Sequence, residues 1–172
     1  RSTLSRRGIK FVVNARVAAI CRDADGGILH VQYTDAKGRD AEVSAPVVLM
    51  AVGRRAVIPE GCAEAGIDID RHGCIVTDDD LRTTRDGIYA VGDVNGKCML
   101  AHAATAQAHR ALGADVNLSV IPSAVFTHPE VAMVGMTSET CKKAGIPIVS
   151  GKAMYASSGK ARAMAATDGF VK

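Results

Sequence analysis

The stretch Thr84-Arg85-Asp86-Gly87-Ile88-Tyr89-Ala90-Val91-Gly92-Asp93, followed shortly by Leu100-Ala101-His102-Ala103-Ala104, decides the fold of this chain. Residues 88–91 are almost continuously apolar, which is typical of a β-strand covered on both faces. Gly92 and Asp93 follow at the carboxyl end of this predicted strand, where open α/β sheets bind their ligands. Because Gly92 has no Cβ, a ligand could approach its backbone closely. The pattern predicts a site for a polar ligand at Asp93.

The segment after Asp93 predicts a helix whose side chains are unusually small. Its alanines are Ala101, Ala103, Ala104, Ala106, Ala108 and Ala111. Small side chains allow close packing, and the unpaired N–H groups at a helix start carry about half a positive charge. An anionic or electron-accepting group would be stabilised there. The alternative for Asp93 is a turn or capping aspartate, which is the commoner role of Asp after a strand.

Four segments together resemble the pyridine nucleotide-disulfide oxidoreductases, and within that family the dihydrolipoamide dehydrogenases most of all. They are TTRDGIYAVGDV at 83–94, MLAHAA at 99–104, IPSAVFTHPEVAMVGMT at 121–137 and GFVK at 169–172. The resemblance implies FAD and NAD as cofactors, and it implies that Asp93, after Gly92, accepts hydrogen bonds from the ribityl chain of FAD. It further implies that backbone N–H groups near the helix start face the pyrimidine edge of the flavin. The residues concerned there are Met99, Leu100, Ala101 and His102.

The resemblance also implies that Gly53 and Arg54 lie near the crossing of the two dinucleotide sites. The alternative for Gly53 is that it turns the chain after a buried strand. For His102, the backbone N–H is the more relevant group, and an acid/base role for its ring is the alternative.

Several features of that family are missing from this sequence. No G-x-G-x-x-G motif occurs, and the cysteines do not include a pair separated by four residues, which the family uses as its redox dithiol. The chain ends before the position of the family's His-Glu pair. We therefore expect an internal fragment of an enzyme, with no catalytic residue of its own and no activity in isolation. The alternatives are a different disulfide reductase of the same family, of glutathione or mercuric type, and a non-enzymatic dimerisation module.

The resemblance predicts a mixed α/β and α+β fold in three parts. Residues 1–53 would be the second half of an NAD-binding domain, a three-stranded meander followed by a return strand, with strands at 9–13, 16–21, 28–34, 40–44 and 47–52. This half-domain should expose apolar surface. Residues 54–120 would complete the FAD domain, with short strands at 67–69, 75–76 and 89–91. Residues 121–172 would form an α+β dimerisation domain with strands at 123–127, 131–134, 146–149, 152–155 and 170–171. Its helix would begin at Thr137, the N-cap, and end at Gly145.

Composition narrows the remaining function classes. Lys and Arg number 21 against 18 Asp and Glu, and their scatter along the chain does not favour nucleic-acid binding. No apolar run approaches the roughly 18 residues of a membrane span. The cysteines, odd in number and dispersed, are typical of a reducing compartment and predict a cytoplasmic protein. No Cys or His spacing indicates a metal site, and His30 and His72 lie in strand and turn contexts without nearby metal ligands. The expected partners are a second copy of the chain, through residues 121–172, and a 2-oxo acid dehydrogenase complex.

Overall fold

The computed structural model describes all 172 residues. They divide into two compact units, Arg1–Gly53 and Arg54–Lys172. The first unit carries a short helix, α1 (Ser2–Arg6), and three strands, β1 (Arg16–Arg22), β2 (Leu29–Thr34) and β3 (Asp40–Ala45). The strands pair antiparallel in the order β1-β2-β3, which confirms the predicted meander.

Two tight turns set the register of this meander. Between β1 and β2, the Gly26 N–H donates to the Asp23 carbonyl, and the Asp23 N–H donates to the Ile28 carbonyl. Between β2 and β3, the Asp35 carboxylate accepts from the N–H groups of Lys37 and Arg39. Asp and Gly at these positions stabilise turns through such local bonds, which is why the sequence located both turns correctly.

The strands predicted at 9–13 and 47–52 do not form. The second segment is strongly apolar, but a strand needs a neighbouring strand to satisfy its N–H and C=O groups. No neighbour lies beside it, and Leu49 is 87% exposed. The expected apolar surface of this unit is confirmed, since its exposed large apolar residues are Ile9, Phe11, Val12, Val13, Val17, Ile20, Val43, Val47, Leu49, Met50 and Val52.

The second unit begins with a compact segment built mainly from turns. Its buried residues Cys62, Ile67, Ile75 and Ala90 form one cluster, against which Ile58, Ala65 and Val94 pack. The predicted strands at 67–69, 75–76 and 88–91 reduce to two isolated antiparallel bridges, Ile69 with Ile75 and Arg82 with Tyr89. Ile88 and Tyr89 are 38% and 45% exposed, so this stretch is not covered on both faces.

The rest of the second unit contains one longer helix, two short α-helices and two antiparallel strand pairs. Helix α2 (Ala101–Ala111) confirms the predicted alanine helix. There follow β4 (Ser123–Val125), β5 (Val131–Met133), α3 (Ser138–Lys143), β6 (Ala153–Met154), α4 (Gly159–Ala163) and β7 (Phe170–Val171). Strand β4 pairs with β5 and β6 with β7, both antiparallel. The strand predicted at 146–149 is absent, the strand at 170–171 has the predicted bounds, and the other three are shorter than expected. The Thr137 cap is confirmed, because its hydroxyl accepts from the Thr140 N–H at 3.1 Å.

The mixed α/β composition predicted for the chain is confirmed. Helix α2, with 11 residues, is its longest helix, and none has both the length and the apolar character that crossing a bilayer requires.

Candidate functional site

Gly92 opens a one-turn 3-10 helix, Gly92–Asn95, that leads toward α2. Its φ is +80°, and a Cβ built on it would lie 3.2 Å from the Cβ of Ala104 on α2. Glycine is therefore favoured here, both by the left-handed backbone and by the close approach of the helix. The sequence analysis gave a different reason, the close approach of a ligand, whereas the space beside this Cα is filled by α2.

A buried pair of amide side chains fixes the turn to the helix. Gln107 on α2 and Asn95 in the turn are only 3% and 6% exposed. The Gln107 Oε1 accepts from the Gly92 N–H at 2.7 Å and from the Asn95 Nδ2 at 2.9 Å, and that Nδ2 also donates to the Ala90 carbonyl at 3.0 Å. Buried polar groups with satisfied hydrogen bonds hold one local geometry.

Sequence reasoning missed this pair. The available signal was the four-residue spacing of Gln107 from Ala103, which places an amide on the buried face of an otherwise alanine-rich helix.

Asp93 is presented outward by this arrangement. Its carboxylate is exposed and accepts no hydrogen bond from another residue, while its backbone carbonyl accepts from the Gly96 N–H at 3.1 Å. The turn thus holds Asp93 through the main chain and through its neighbours Gly92 and Asn95. The carboxylate itself is available to a hydrogen-bond donor from outside the chain.

The start of α2 is also open. Leu100, the N-cap, has extended dihedrals, and no side chain caps the helix. The first N–H groups of a helix have no partner within it, so those of Ala101 and His102, both exposed, can donate outward. Met99 and Leu100 are half-buried on the approach to the helix. This part of the site offers N–H donors and the positive end of the helix dipole.

The ring of His102 is engaged elsewhere. Its Nε2 lies 2.6 Å from the Pro122 carbonyl oxygen, which can only accept, so the Nε2 carries a proton and donates it. The side chain connects the first turn of α2 to the chain entering β4. The backbone of His102 remains the group that faces the open helix start.

Arg110 anchors the other end of α2, a role that the sequence did not reveal. Its guanidinium donates to the Asp79 carbonyl at 3.2 Å, the Val116 carbonyl at 3.0 Å and the Asp80 carboxylate at 3.0 Å. A cavity of about 410 Å³ lies beside it, lined by Asp79, Lys97, Cys98, Gln107, Arg110, Leu118, Ser119 and Ile121. Asp93 and residues 99–102 do not line this cavity, so the open helix start is a separate surface feature.

Gly53 and Arg54 occupy the division between the two units. Gly53 ends the first unit and Arg54 begins the second, and both residues are exposed. Arg54 makes no hydrogen bond or ion pair with another residue. The structure therefore groups Gly92, Asp93 and residues 99–102 through the turn and α2, while Gly53 and Arg54 stand apart from that hydrogen-bonded network.

Comparisons with known proteins place this arrangement in a family. The family profile described as "Pyridine nucleotide-disulphide oxidoreductase" matches residues 1–108, and the profile of that family's dimerisation domain matches residues 121–172. The first match spans the Gly92–Asn95 turn and most of α2. The second match begins at Ile121, two residues before strand β4.

Curated relatives include the mitochondrial dihydrolipoyl dehydrogenases of Mus musculus, at 38% identity, and of Homo sapiens, at 37%. Each alignment covers 98% of this chain and 35% of the relative. The chain thus spans about a third of the length of the curated relatives that it matches.

Solved structures agree in fold. LpdA from Mycobacterium tuberculosis matches with a TM-score of 0.80 at 28% identity, covering 98% of this chain and 37% of that one. The HOCl-induced flavoprotein disulfide reductase RclA from Escherichia coli matches with a TM-score of 0.75 at 27% identity, covering 98% and 39%. The resemblance read from the sequence motifs is confirmed, and the chain belongs to the pyridine nucleotide-disulphide oxidoreductase family.

Proposed function

We propose that this chain is part of an FAD-dependent dihydrolipoamide dehydrogenase. The whole protein would oxidise the dithiol of dihydrolipoamide and transfer two electrons to NAD⁺, forming lipoamide, NADH and a proton. The identity of 37–38% to dihydrolipoyl dehydrogenases over nearly the entire chain supports this substrate. The observation that carries the cofactor assignment is the exposed, unpartnered Asp93 carboxylate beside the uncapped start of α2.

The residues at this site have the chemistry that FAD requires. The Asp93 carboxylate would accept hydrogen bonds from ribityl hydroxyls, and the backbone N–H groups of Met99, Ala101 and His102 would donate to the pyrimidine edge of the flavin. The Leu100 N–H between them donates to the Cys98 carbonyl at 3.0 Å. A helix start stabilises a nearby negative charge by about 0.3–1 kcal/mol at an exposed position. FAD, when bound, supplies the hydride chemistry, and the protein positions it. The Asn95–Gln107 pair would keep Asp93 in place.

The remaining domain assignments follow the order of the domains along the chains of this family. Residues 1–53 would be the second half of the NAD-binding domain, residues 54–120 would complete the FAD domain, and residues 121–172 would form the dimerisation domain. Gly53 and Arg54 would lie near both cofactors.

The match of residues 121–172 to the dimerisation profile supports a homodimer, and the similarity to dihydrolipoyl dehydrogenases supports membership of a 2-oxo acid dehydrogenase complex. The dispersed free cysteines support a cytoplasmic setting.

We further propose that the 172-residue chain alone does not turn over substrate. Its free cysteines are Cys21, Cys62, Cys74, Cys98 and Cys141. No two of them are separated by four residues, which is the spacing of the family's dithiol. Its activity in isolation would be that of an assembly module, which the dimerisation profile favours.

A second enzyme function within the family has support of its own. RclA, a flavoprotein disulfide reductase, matches the same 98% of this chain. In that case the whole protein would reduce a disulfide substrate with a nicotinamide nucleotide and would not oxidise dihydrolipoamide. The two reactions run in opposite directions, so an activity assay separates them.

Two measurements test these proposals. The whole protein is assayed for NADH formation with dihydrolipoamide and for NADPH or NADH consumption with glutathione disulfide, and only the first reaction is expected. The 172-residue chain is mixed with FAD and passed through gel filtration, and flavin absorbance and fluorescence are recorded in the protein peak.

In the whole protein, the variant Asp93→Ala should lose FAD, while Asp86→Ala, another exposed aspartate in the same segment, should retain it. Hydrogen bonds to a charged group contribute about 1.5–3 kcal/mol, which corresponds to roughly a 10- to 150-fold loss of affinity. Normal FAD occupancy in Asp93→Ala would contradict the assigned site. Exclusive reduction of a disulfide would contradict the assigned reaction and leave the site assignment standing.

A further inference from the structure

A histidine in the first unit lies between two carboxylates. The Nε2 of His30, on β2, is 2.7 Å from the Asp23 Oδ1, and its Nδ1 is 2.8 Å from the Glu42 Oε1. The sequence analysis considered His30 only as a metal ligand and did not predict these two contacts. Its strand register explains the cluster, because His30 pairs with Ser44 on β3, and Glu42 lies two residues away on the same face. Asp23 directly follows β1.

The two carboxylates favour the protonated form of the ring. A neutral imidazole has one N–H donor and one acceptor nitrogen, and an ionised carboxylate only accepts. The doubly protonated imidazolium, which donates from both ring nitrogens, is the form that satisfies both carboxylates at these distances. The Ser44 hydroxyl, 3.0 Å from the Nδ1, is a second neighbour on that side.

The surroundings offer no competing cation. On β3, the Glu42 Oε2 accepts from the neutral Gln32 amide at 3.3 Å. On β1, the residue across from His30 is Cys21, and the neighbouring Arg22 donates to the Gly26 carbonyl at 2.7 Å. Neither Asp23 nor Glu42 forms an ion pair with Lys or Arg. The imidazolium is thus the positive charge that compensates both carboxylates.

We propose that His30 is a proton-dependent clip: as an imidazolium it ties β2 to Asp23 and Glu42, and the three-stranded sheet loosens when the ring gives up one proton. After that loss, one carboxylate faces a nitrogen lone pair. The remaining N–H can satisfy only one of the two partners. The strand β2 is then held to the end of β1 or to β3, and no longer to both.

The direction in which stability changes with pH follows from the pKa shifts of His30 and Glu42. The hydrogen bond that the ring donates to Asp23, followed by the one that it donates to Glu42, raises the pKa of His30 above its ordinary value of 6.5. The stabilisation is complete below 6.5 and is lost as the pH rises through the raised pKa. The hydrogen bond from His30 lowers the pKa of Glu42 below 4.5, so its share is present above 4.5 and lost as the pH falls through the lowered pKa.

The test is a histidine titration by NMR on the 172-residue chain, with His30→Gln used to assign the resonance. We expect the His30 midpoint to lie above 6.5 and to fall in both Asp23→Asn and Glu42→Gln. Asp40→Asn is the matched control, because Asp40 bonds Thr34 at the other end of the same strand pair. That variant should leave the His30 midpoint nearly unchanged.

Amide hydrogen exchange provides the structural readout. After correction for the intrinsic pH dependence of exchange, the β2 amides should open more readily as the pH rises through the His30 midpoint. The same increase should be absent from Glu42→Gln around the wild-type midpoint. A midpoint at or below 6.5, a midpoint unaffected by both carboxylate variants, or β2 opening independent of pH would each overturn the proposal. Asp23→Asn and Glu42→Gln retain the ring, so the test does not depend on whether His30→Gln folds.

Discussion

The amide of Gln107 accepts two hydrogen bonds in a buried position, so its removal leaves two donors without a partner. We expect Gln107→Leu to lower the free energy of unfolding by about 1–3 kcal/mol, the usual cost of stranding a buried polar group. His109→Leu, on the exposed side of the same helix, should change it by about 0.5 kcal/mol or less. Urea denaturation followed by circular dichroism compares the two variants. Equal effects would mean that Gln107 does not hold the turn.

Gly96 is constrained both by its backbone and by its surroundings. Its φ is +66°, and a Cβ there would lie 2.5 Å from the Cys74 Sγ. We expect Gly96→Ala to cost about 1–2 kcal/mol for the left-handed backbone and about 1–3 kcal/mol more for the overlap. Gly61→Ala is the matched control, because Gly61 has a φ of +83° but open space around it.

The difference between these two alanine variants, measured by thermal unfolding, isolates the packing effect. If Gly61→Ala and Gly96→Ala destabilise the chain equally, then Cys74 does not restrict the turn. If Cys74→Ala restores part of the stability of Gly96→Ala, the contact is confirmed.

At the level of single residues, the sequence could indicate exposed polar groups but not their buried partners. Asp93 follows an apolar run, and its position at the end of that run, together with the family resemblance, predicted a role for it in ligand binding. The Asn95–Gln107 bond joins residues 12 positions apart, and it depends on the angle between the turn and α2. The His30 cluster depends on the strand register. That register can be deduced from the turn at Asp35, so this contact was within reach of the sequence.

Among the secondary-structure elements, α3 depends most clearly on a single side chain. The Thr137 hydroxyl accepts from the Thr140 N–H and thereby satisfies one of the free donors at the helix start. We expect Thr137→Ala to destabilise the second unit by about 0.5–2 kcal/mol, and Thr137→Ser, which keeps the oxygen, to have a much smaller effect. Chemical denaturation gives both values. A loss in Thr137→Ser as large as that in Thr137→Ala would show that the methyl group matters more than the cap.

Elements whose signals are local were predicted well. The helix α2, the meander and the Thr137 cap follow from alanine content, Asp-Gly turns and a capping hydroxyl, all of which act within a few residues. The strand predictions for residues 47–52 and 88–91 were wrong because strand formation depends on contacts that are not local. Their apolar runs predict strands, yet a strand forms only beside another strand. The 47–52 segment has no neighbour, and the 88–91 segment makes a single bridge, at Tyr89.

In the molecule as a whole, apolar burial is distributed unevenly, and two leucines show the contrast. Leu81 in the second unit is fully buried, whereas Leu49 in the first is 87% exposed. We expect Leu81→Ala to cost about 2–5 kcal/mol, because it removes buried methyl groups and leaves a cavity. Leu49→Ala should change stability by about 0.5 kcal/mol or less, because that side chain gives up almost no contact with water on folding.

The same exposed segment has a consequence for association. Contiguous exposed apolar side chains promote contact between copies, so Leu49→Lys should reduce any self-association seen by sedimentation velocity without lowering stability. Denaturation curves for Leu49→Ala and Leu81→Ala supply the stability comparison. A loss of more than about 2 kcal/mol in Leu49→Ala would mean that this leucine is buried in solution. The 47–52 segment would then be packed against other parts of the chain, and the apolar surface assigned to the first unit would be wrong.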